Sequence, residues 1–372
     1  LDAYRLDTLC ICGAREALAL RPDGMRCTLT PQLPKPTYSI GRLGRLPCYH
    51  APVIRLFLAL CGALIVFAVA CGGSDTKPGA GASPGTVTPP PAQGCTPART
   101  HAAGDSDQAL TSGGIARTYV LHIPTGYDGA TPAPVVLAFH GFGLSAKQMM
   151  EYTRLAALAD QRGFVAVALD GAGSPPHWNW RKAVNEPSDL QFVADILNKL
   201  DADLCIDPDM TFAAGFSDGA AMSRIAACEA HGRIAAIGAV ASPNVPCVAE
   251  VPMIAFHGNA DPLLPFEGGT VRVEVGGGGT FPPVRRSVSD WARALACDGL
   301  PAISRPAAST ELSTFLRCRR GDGDVLLYTL LGGGHTWPGS APLPADAFGA
   351  TSTDIDATSV IWDFFAAHPL AH

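Results

Sequence analysis

"DMTFAAGFSDGAAMSRIAACEA", residues 209–230, changes its hydrophobic pattern in the middle. Up to Ser217 it reads as a short, strand-like apolar run, and from Asp218 onward it reads as a helix. Ser217 sits at the handover, inside "GFSDG" (215–219), which fits the pattern G-x-S-x-G. Gly and Ser are common in this chain, so the pentapeptide alone decides little. Its position decides more. Gly215 and Gly219 allow a sharp strand-to-helix turn without a Cβ clash, and such a turn presents the Ser hydroxyl at the carboxyl edge of a sheet. The helix that follows directs N–H groups and the positive end of its dipole toward developing negative charge.

Outward from this turn the elements alternate in type. "RTYVLHIP" (117–124) alternates like a strand, and "APVVLAFHG" (133–141) and "GFVAVALD" (163–170) are apolar runs of the kind buried in parallel sheets. Helical spacing marks 151–162 and 188–204, the second opened by a Ser/Asp cap. Strands are expected at 234–241, 251–258 and 324–331, and helices at 287–296 and near 354–367. Strand and helix in alternation predict an α/β class fold, a mainly parallel sheet with helices on both faces.

A Ser hydroxyl is a poor nucleophile unaided, so a base and an orienting acid are required. Of the ten histidines, His335 stands out: it lies in "GGGHTWPG", directly after the strand at 324–331. The acid should follow another strand and fall between Ser217 and His335 in chain order. Asp261 does so, in "IAFHGNADPLLP", whereas Asp290, Asp322 and Asp324 fall on a helix pattern or before a strand. The order Ser217, Asp261, His335 is that of the α/β-hydrolase fold. An oxyanion needs donors, and "FHGFG" (139–143) ends an early strand with glycines. The backbone N–H groups of Phe142 and Asp218 are assigned to that role. His140 and His257 each precede a Gly at a strand end and read as supports for the backbone turn. Trp178, Trp180 and Trp337, in loops after strands, are candidates for an apolar wall around the substrate.

These blocks together resemble the polyhydroxybutyrate depolymerase-like esterases of the α/β-hydrolase superfamily, related to feruloyl and acetylxylan esterases. The likeness runs through "LCIDPDMTFAAGFSDGAAMSRIAACE", "PMIAFHGNADPLLPFEGG", "WARALAC", "LYTLLGGGHTWPG" and "IWDFFAAHP", over roughly 111–369. It implies a Ser217 nucleophile, a His335 base, an Asp261 acid and no metal or organic cofactor. Asp218 stands where many members carry Asn; since only its backbone N–H is assigned a role, little loss is expected. No adsorption module follows the last helix pattern, so soluble or short oligomeric esters are expected over crystalline polyester. An inactive binding lipoprotein, a peptidase and an acyltransferase are the alternatives on the same scaffold.

The bulk properties agree with an exported enzyme. With 47% hydrophobic and 16% charged residues the chain is globular, and a net charge of −6 without a basic block leaves no footprint for nucleic acid. Residues 53–71 carry one Arg, an apolar run and small residues before Cys71, the grammar of a secretory signal; a membrane-spanning helix is the competing reading. Ala68-Val69-Ala70-Cys71 resembles a bacterial lipobox, which makes Cys71 a lipidation candidate and the membrane surface a possible anchor point. Residues 1–52 precede this signal, and translation is expected to begin at Val53. Residues 72–94, rich in Gly, Pro, Ser and Thr, read as a tether to a catalytic domain at 95–372. That domain holds six cysteines, expected as disulfides with Cys297–Cys318 as the preferred pair, and a monomer is expected.

Overall fold

A computed structural model describes residues 94–370 apart from 181–182, 184, 231, 243–246 and 272–277. The 1–52 extension, the signal at 53–71 with Cys71, and the tether up to residue 93 lie outside the described residues. The chain divides into Leu1–Ser83 and Pro84–His372, and every described residue falls in the second unit. No helix among the described residues is long and apolar enough to cross a membrane.

The elements run β1 (Gly104–Ser112), β2 (Ile115–Ile123), β3 (Ala133–Phe139), α1 (Ala146–Thr153), α2 (Leu155–Arg162), β4 (Val165–Leu169), α3 (Asp189–Asp203), β5 (Ile206–Phe216) and α4 (Asp218–Glu229). They continue with β6 (Ile237–Val240), β7 (Met253–Gly258), β8 (Gly269–Val271), β9 (Gly279–Phe281), α5 (Val284–Ala294), β10 (Ala302–Ala307), β11 (Thr310–Thr314), β12 (Val325–Leu330), α6 (Ala345–Phe348) and α7 (Ala357–Ala366). Ten strands form one sheet in the order β1-β2-β4-β3-β5-β6-β7-β12-β11-β10. The six from β4 to β12 are mutually parallel, and an antiparallel pair closes each edge.

Side chains alternate across the parallel strands, and that alternation builds two cores. Val135, Leu137 and Phe139 of β3 pack with Phe192 of α3, Met222 of α4 and Trp291 of α5 on one face. Val136 and Ala138 pack with Met149 of α1, Leu158 of α2 and Trp362 of α7 on the other. With both faces covered, these strands are apolar throughout rather than alternating, which is why they read as continuous hydrophobic runs.

The expected elements are present with shifted bounds. The helical spacing at 151–162 is divided between α1 and α2, because Arg154 takes a left-handed φ of 54° that ends one helix and opens the next. Ser188 caps α3 as expected, accepting from the Gln191 N–H. Four strands carry no apolar signal: β1 alternates in exposure, β10 is exposed along nearly its whole length, and β8 and β9 have three residues each. The six cysteines pair as Cys95–Cys205, Cys228–Cys247 and Cys297–Cys318. The first joins the start of the described chain to the end of α3, across a sequence separation of 110.

Candidate active site

Ser217 occupies the strand-to-helix turn with φ 54° and ψ −117°, a conformation that L residues rarely adopt. Two glycines make the turn possible. A Cβ on Gly215 would run into the Gly219 carbonyl, and a Cβ on Gly219 would run into the carbonyls of Phe139 and His140. The Ser217 N–H donates to the Val240 carbonyl at 2.8 Å, which ties the turn to the neighbouring strand. Ser217 is the residue before α4, yet its hydroxyl makes no cap to the helix. It lies instead 2.7 Å from His335 Nε2.

Strands β7 and β12 are parallel neighbours, so the loops that follow them leave the same edge of the sheet. The first carries Asp261 and the second His335, whose Nδ1 lies 2.7 Å from Asp261 Oδ2. His335 is held by its own backbone, donating to the Phe348 carbonyl at 2.6 Å, and its ring packs against Phe216 with centroids 5.3 Å apart. Asp261 Oδ1 accepts the N–H groups of Leu263 and Leu264, each at 2.8 Å. His257 completes the shell, with Nε2 2.8 Å from the Leu264 carbonyl and 3.3 Å from Asp261 Oδ2. Burial pushes the Asp261 pKa up, but the hydrogen bonds from His257 and His335 outweigh it and hold the carboxyl well below the usual carboxylate range. An ionised Asp261 accepts a proton-bearing Nδ1, which leaves Nε2 of His335 free to accept the Ser217 proton. The sequence reading of His257 as a turn support missed this contact, although its spacing of four residues before Asp261 was visible.

The expected oxyanion donors lie at the two neighbouring strand ends. Neither the Phe142 nor the Asp218 backbone N–H has a hydrogen-bond acceptor among the described residues, whereas the next N–H along, that of Gly143, is spent on the Pro176 carbonyl at 2.8 Å. His140 fastens the loop from beneath. Its Nε2 accepts the Gly171 N–H at 2.9 Å, so its Nδ1 bears the proton and donates to the Gly141 carbonyl at 2.8 Å. Burial pushes the His140 pKa down, which keeps the ring neutral in that role.

A cavity of about 560 Å³ opens over Ser217, with Leu144, Phe216, Leu264, Phe281, Phe348 and Trp180 among its walls. Of the three tryptophans expected to face substrate, only Trp180 lines it. Trp178 is buried beneath the loop after β3, its ring edge-on to Phe139 at 5.2 Å and its Nε1–H donating to the His140 carbonyl at 2.7 Å. Trp337 is buried in the core under α1 and α7, its Nε1–H donating to Thr358 Oγ1 at 2.9 Å. Both rings need a partner for the indole N–H, and both find it in the interior rather than in the cavity.

The expectation that Asp218 matters only through its backbone also needs correction. Its carboxyl is buried and accepts two N–H groups from the loop after β4: that of the Trp178 backbone at 2.8 Å and the Trp180 indole at 2.6 Å. Burial pushes its pKa up to about 6, against those two hydrogen bonds and the nearby His177, which lower it. A second buried carboxylate, Asp189, accepts the intervening Asn179 N–H at 2.6 Å while paired with Arg117 at 2.5 Å. Three successive residues of one loop are thus held by two buried acids. Nothing in the local spacing pointed to it, since Asp189 reads as a helix-capping residue.

No family model matches the chain. It is 28% identical over 234 residues to feruloyl esterase B of Piromyces equi, a match covering 59% of this chain and 42% of that one. It is also 28% identical over 346 residues to NocK of Nocardia uniformis subsp. tsuyamanensis, an esterase by name, covering 81% of this chain and 95% of the relative. The acetyl xylan esterase of Aspergillus awamori shares the fold, with a TM-score of 0.50 and 16% identity over 70% of this chain and 99% of that structure. With this sheet and this element order the chain has the α/β-hydrolase fold, and the relatives it matches are esterases by name, the first of them spanned over less than half of its length.

Proposed function

We propose that Ser217, His335 and Asp261 form a catalytic triad that hydrolyses carboxylic esters through an acyl-enzyme. The observation that carries this reading is the unbroken line of hydrogen bonds from Ser217 Oγ through His335 to Asp261, beside an apolar cavity. Ser217 Oγ attacks the ester carbonyl carbon while His335 Nε2 takes its proton. The Phe142 and Asp218 N–H groups receive the oxyanion, each such donor being worth about 3 kcal/mol of barrier. His335 then hands the proton to the departing alcohol, leaving an acyl group on Ser217. A water molecule attacks that acyl carbon as His335 takes a proton from it, the carboxylic acid leaves, and Ser217 regains its proton. Asp261 keeps the imidazole in the right tautomer and stabilises the imidazolium formed at each step.

The apolar walls support soluble esters or short oligoesters with aryl or alkyl groups, including hydroxyalkanoate oligomers and feruloyl or acetyl esters of polysaccharide. Three disulfides support an extracellular site of action, with Cys71 as the position for a lipid anchor. The test compares initial rates of wild type and Ser217→Ala on p-nitrophenyl butyrate, methyl ferulate and soluble hydroxybutyrate oligomers. Turnover lost in the variant supports the triad, and the ranking of the three esters selects the substrate class. A folded wild type that turns over none of them overturns the proposal for these substrates.

A further inference from the structure

We infer that the side chain of Asp218 is a positioning group: its carboxylate holds the Trp180 indole in place as a wall of the substrate cavity and thereby favours esters large enough to touch that wall. The inference rests on the Ser217 esterase reading and deepens it.

The geometry is specific to a carboxylate. Oδ1 accepts the Trp180 indole N–H and Oδ2 accepts the Trp178 backbone N–H, so each oxygen faces a donor. A carboxylate is acceptor-only and satisfies both donors at once. A carboxamide in the same place turns one NH2 toward an N–H and forfeits one contact. A protonated carboxyl still accepts, but more weakly, because the charge that strengthens both contacts is gone. Asp218 and Trp180 both line the cavity that holds Ser217, so slack in this contact reaches the substrate directly. The other grip on the loop, from Asp189 to the Asn179 N–H, holds the backbone, whereas Asp218 bonds the Trp180 indole itself.

Among the described residues, His177 and Asp189 are the charged groups that act on Asp218, and Glu151 lines the same cavity. His177, on the same loop, stands near Glu186, and its positive form favours the Asp218 carboxylate. Asp189, from the start of α3, opposes it, and that charge is itself paired with Arg117 of β2. Acidification through about 6 therefore neutralises Asp218 and loosens Trp180. The triad serves every ester alike, so a ratio of two esters isolates the cavity wall.

The experiment is a pH-stat measurement of kcat/KM for two pairs of esters, p-nitrophenyl octanoate against acetate and octyl acetate against methyl acetate, which enlarge the acyl and the alcohol side in turn. In wild type, the large-to-small ratio of at least one pair should fall roughly fivefold between about pH 7.5 and 5, the value of one hydrogen bond. Trp180→Phe, which keeps a ring and removes the indole N–H, should show the low ratio at every pH. Asp218→Asn should do the same, and the double variant should lose no more than either single one, because both act through one contact. His177→Gln should keep the fall and move its midpoint upward. Ratios independent of pH in wild type overturn the inference, as does a fall that persists in Trp180→Phe or vanishes in His177→Gln. Additive losses in the double variant also overturn it. If Asp218→Asn does not fold, the wild-type and Trp180→Phe profiles still decide. Failure of the esterase reading is separate: Ser217→Ala would then match wild type on p-nitrophenyl acetate.

Discussion

At neutral pH the buried Asp218 carboxylate should cost the fold stability, and the sign follows from its raised pKa. Burial takes the group from 3.8 up to about 6, so between these values the folded protein keeps a proton that the unfolded chain has released. The stability tied to that proton is fully present below about pH 4 and is lost as pH rises through about 6, a total of about 3 kcal/mol. About 2 kcal/mol of this falls between about pH 4.5 and 7.5. Asp218→Asn removes the titration and adds a fixed cost, because one of the two N–H donors loses its acceptor. Urea unfolding of both proteins at the two pH values cancels the fixed cost. The difference in unfolding free energy should move by about 2 kcal/mol in favour of the variant from the lower to the higher pH. Asp261 leaves this window undisturbed: its pKa is held low, so its contribution is present above about pH 4 and lost only below. A difference between variant and wild type that stays constant across the window would refute the claim that Asp218 is ionised at a cost inside the fold.

Trp337→Phe should lower stability by about 1 kcal/mol through the lost hydrogen bond to Thr358 and leave KM unchanged, because the ring lies in the core; urea unfolding and ester kinetics on one preparation check both. Asp189→Ala strands the buried Arg117 guanidinium and should cost about 3–5 kcal/mol in urea unfolding. Replacing Cys95 and Cys205 together by Ser releases a loop of sequence separation 110 and should cost roughly 4 kcal/mol under the same assay.

The fold was legible wherever burial on both faces leaves a strand continuously apolar, as in β3, β4 and β7. The edge hairpin of β10 and β11 was not, because an exposed strand with Arg305 and Pro306 in it has no reason to be apolar. Ser217, Asp261 and His335 were candidates because each ends a strand of one parallel sheet, and parallel strands deliver their ends to one edge. Which tryptophan faces the cavity was hidden, since it depends on where each indole N–H finds an acceptor: a carbonyl beneath the loop for Trp178, a threonine in the core for Trp337, and Asp218 for Trp180. The Asp218 side chain was hidden for a related reason. Its partners lie 38 and 40 residues away, beyond any local pattern.

The central claim is that Ser217 carries the acyl group, and covalent labelling tests it most directly. Wild type and Ser217→Ala would be treated with diethyl p-nitrophenyl phosphate, then measured by intact mass and peptide mapping. One diethylphosphoryl adduct per chain is expected on Ser217, with parallel loss of ester turnover and no adduct in the variant. An adduct at another residue that abolishes turnover, or full turnover in Ser217→Ala, would contradict it.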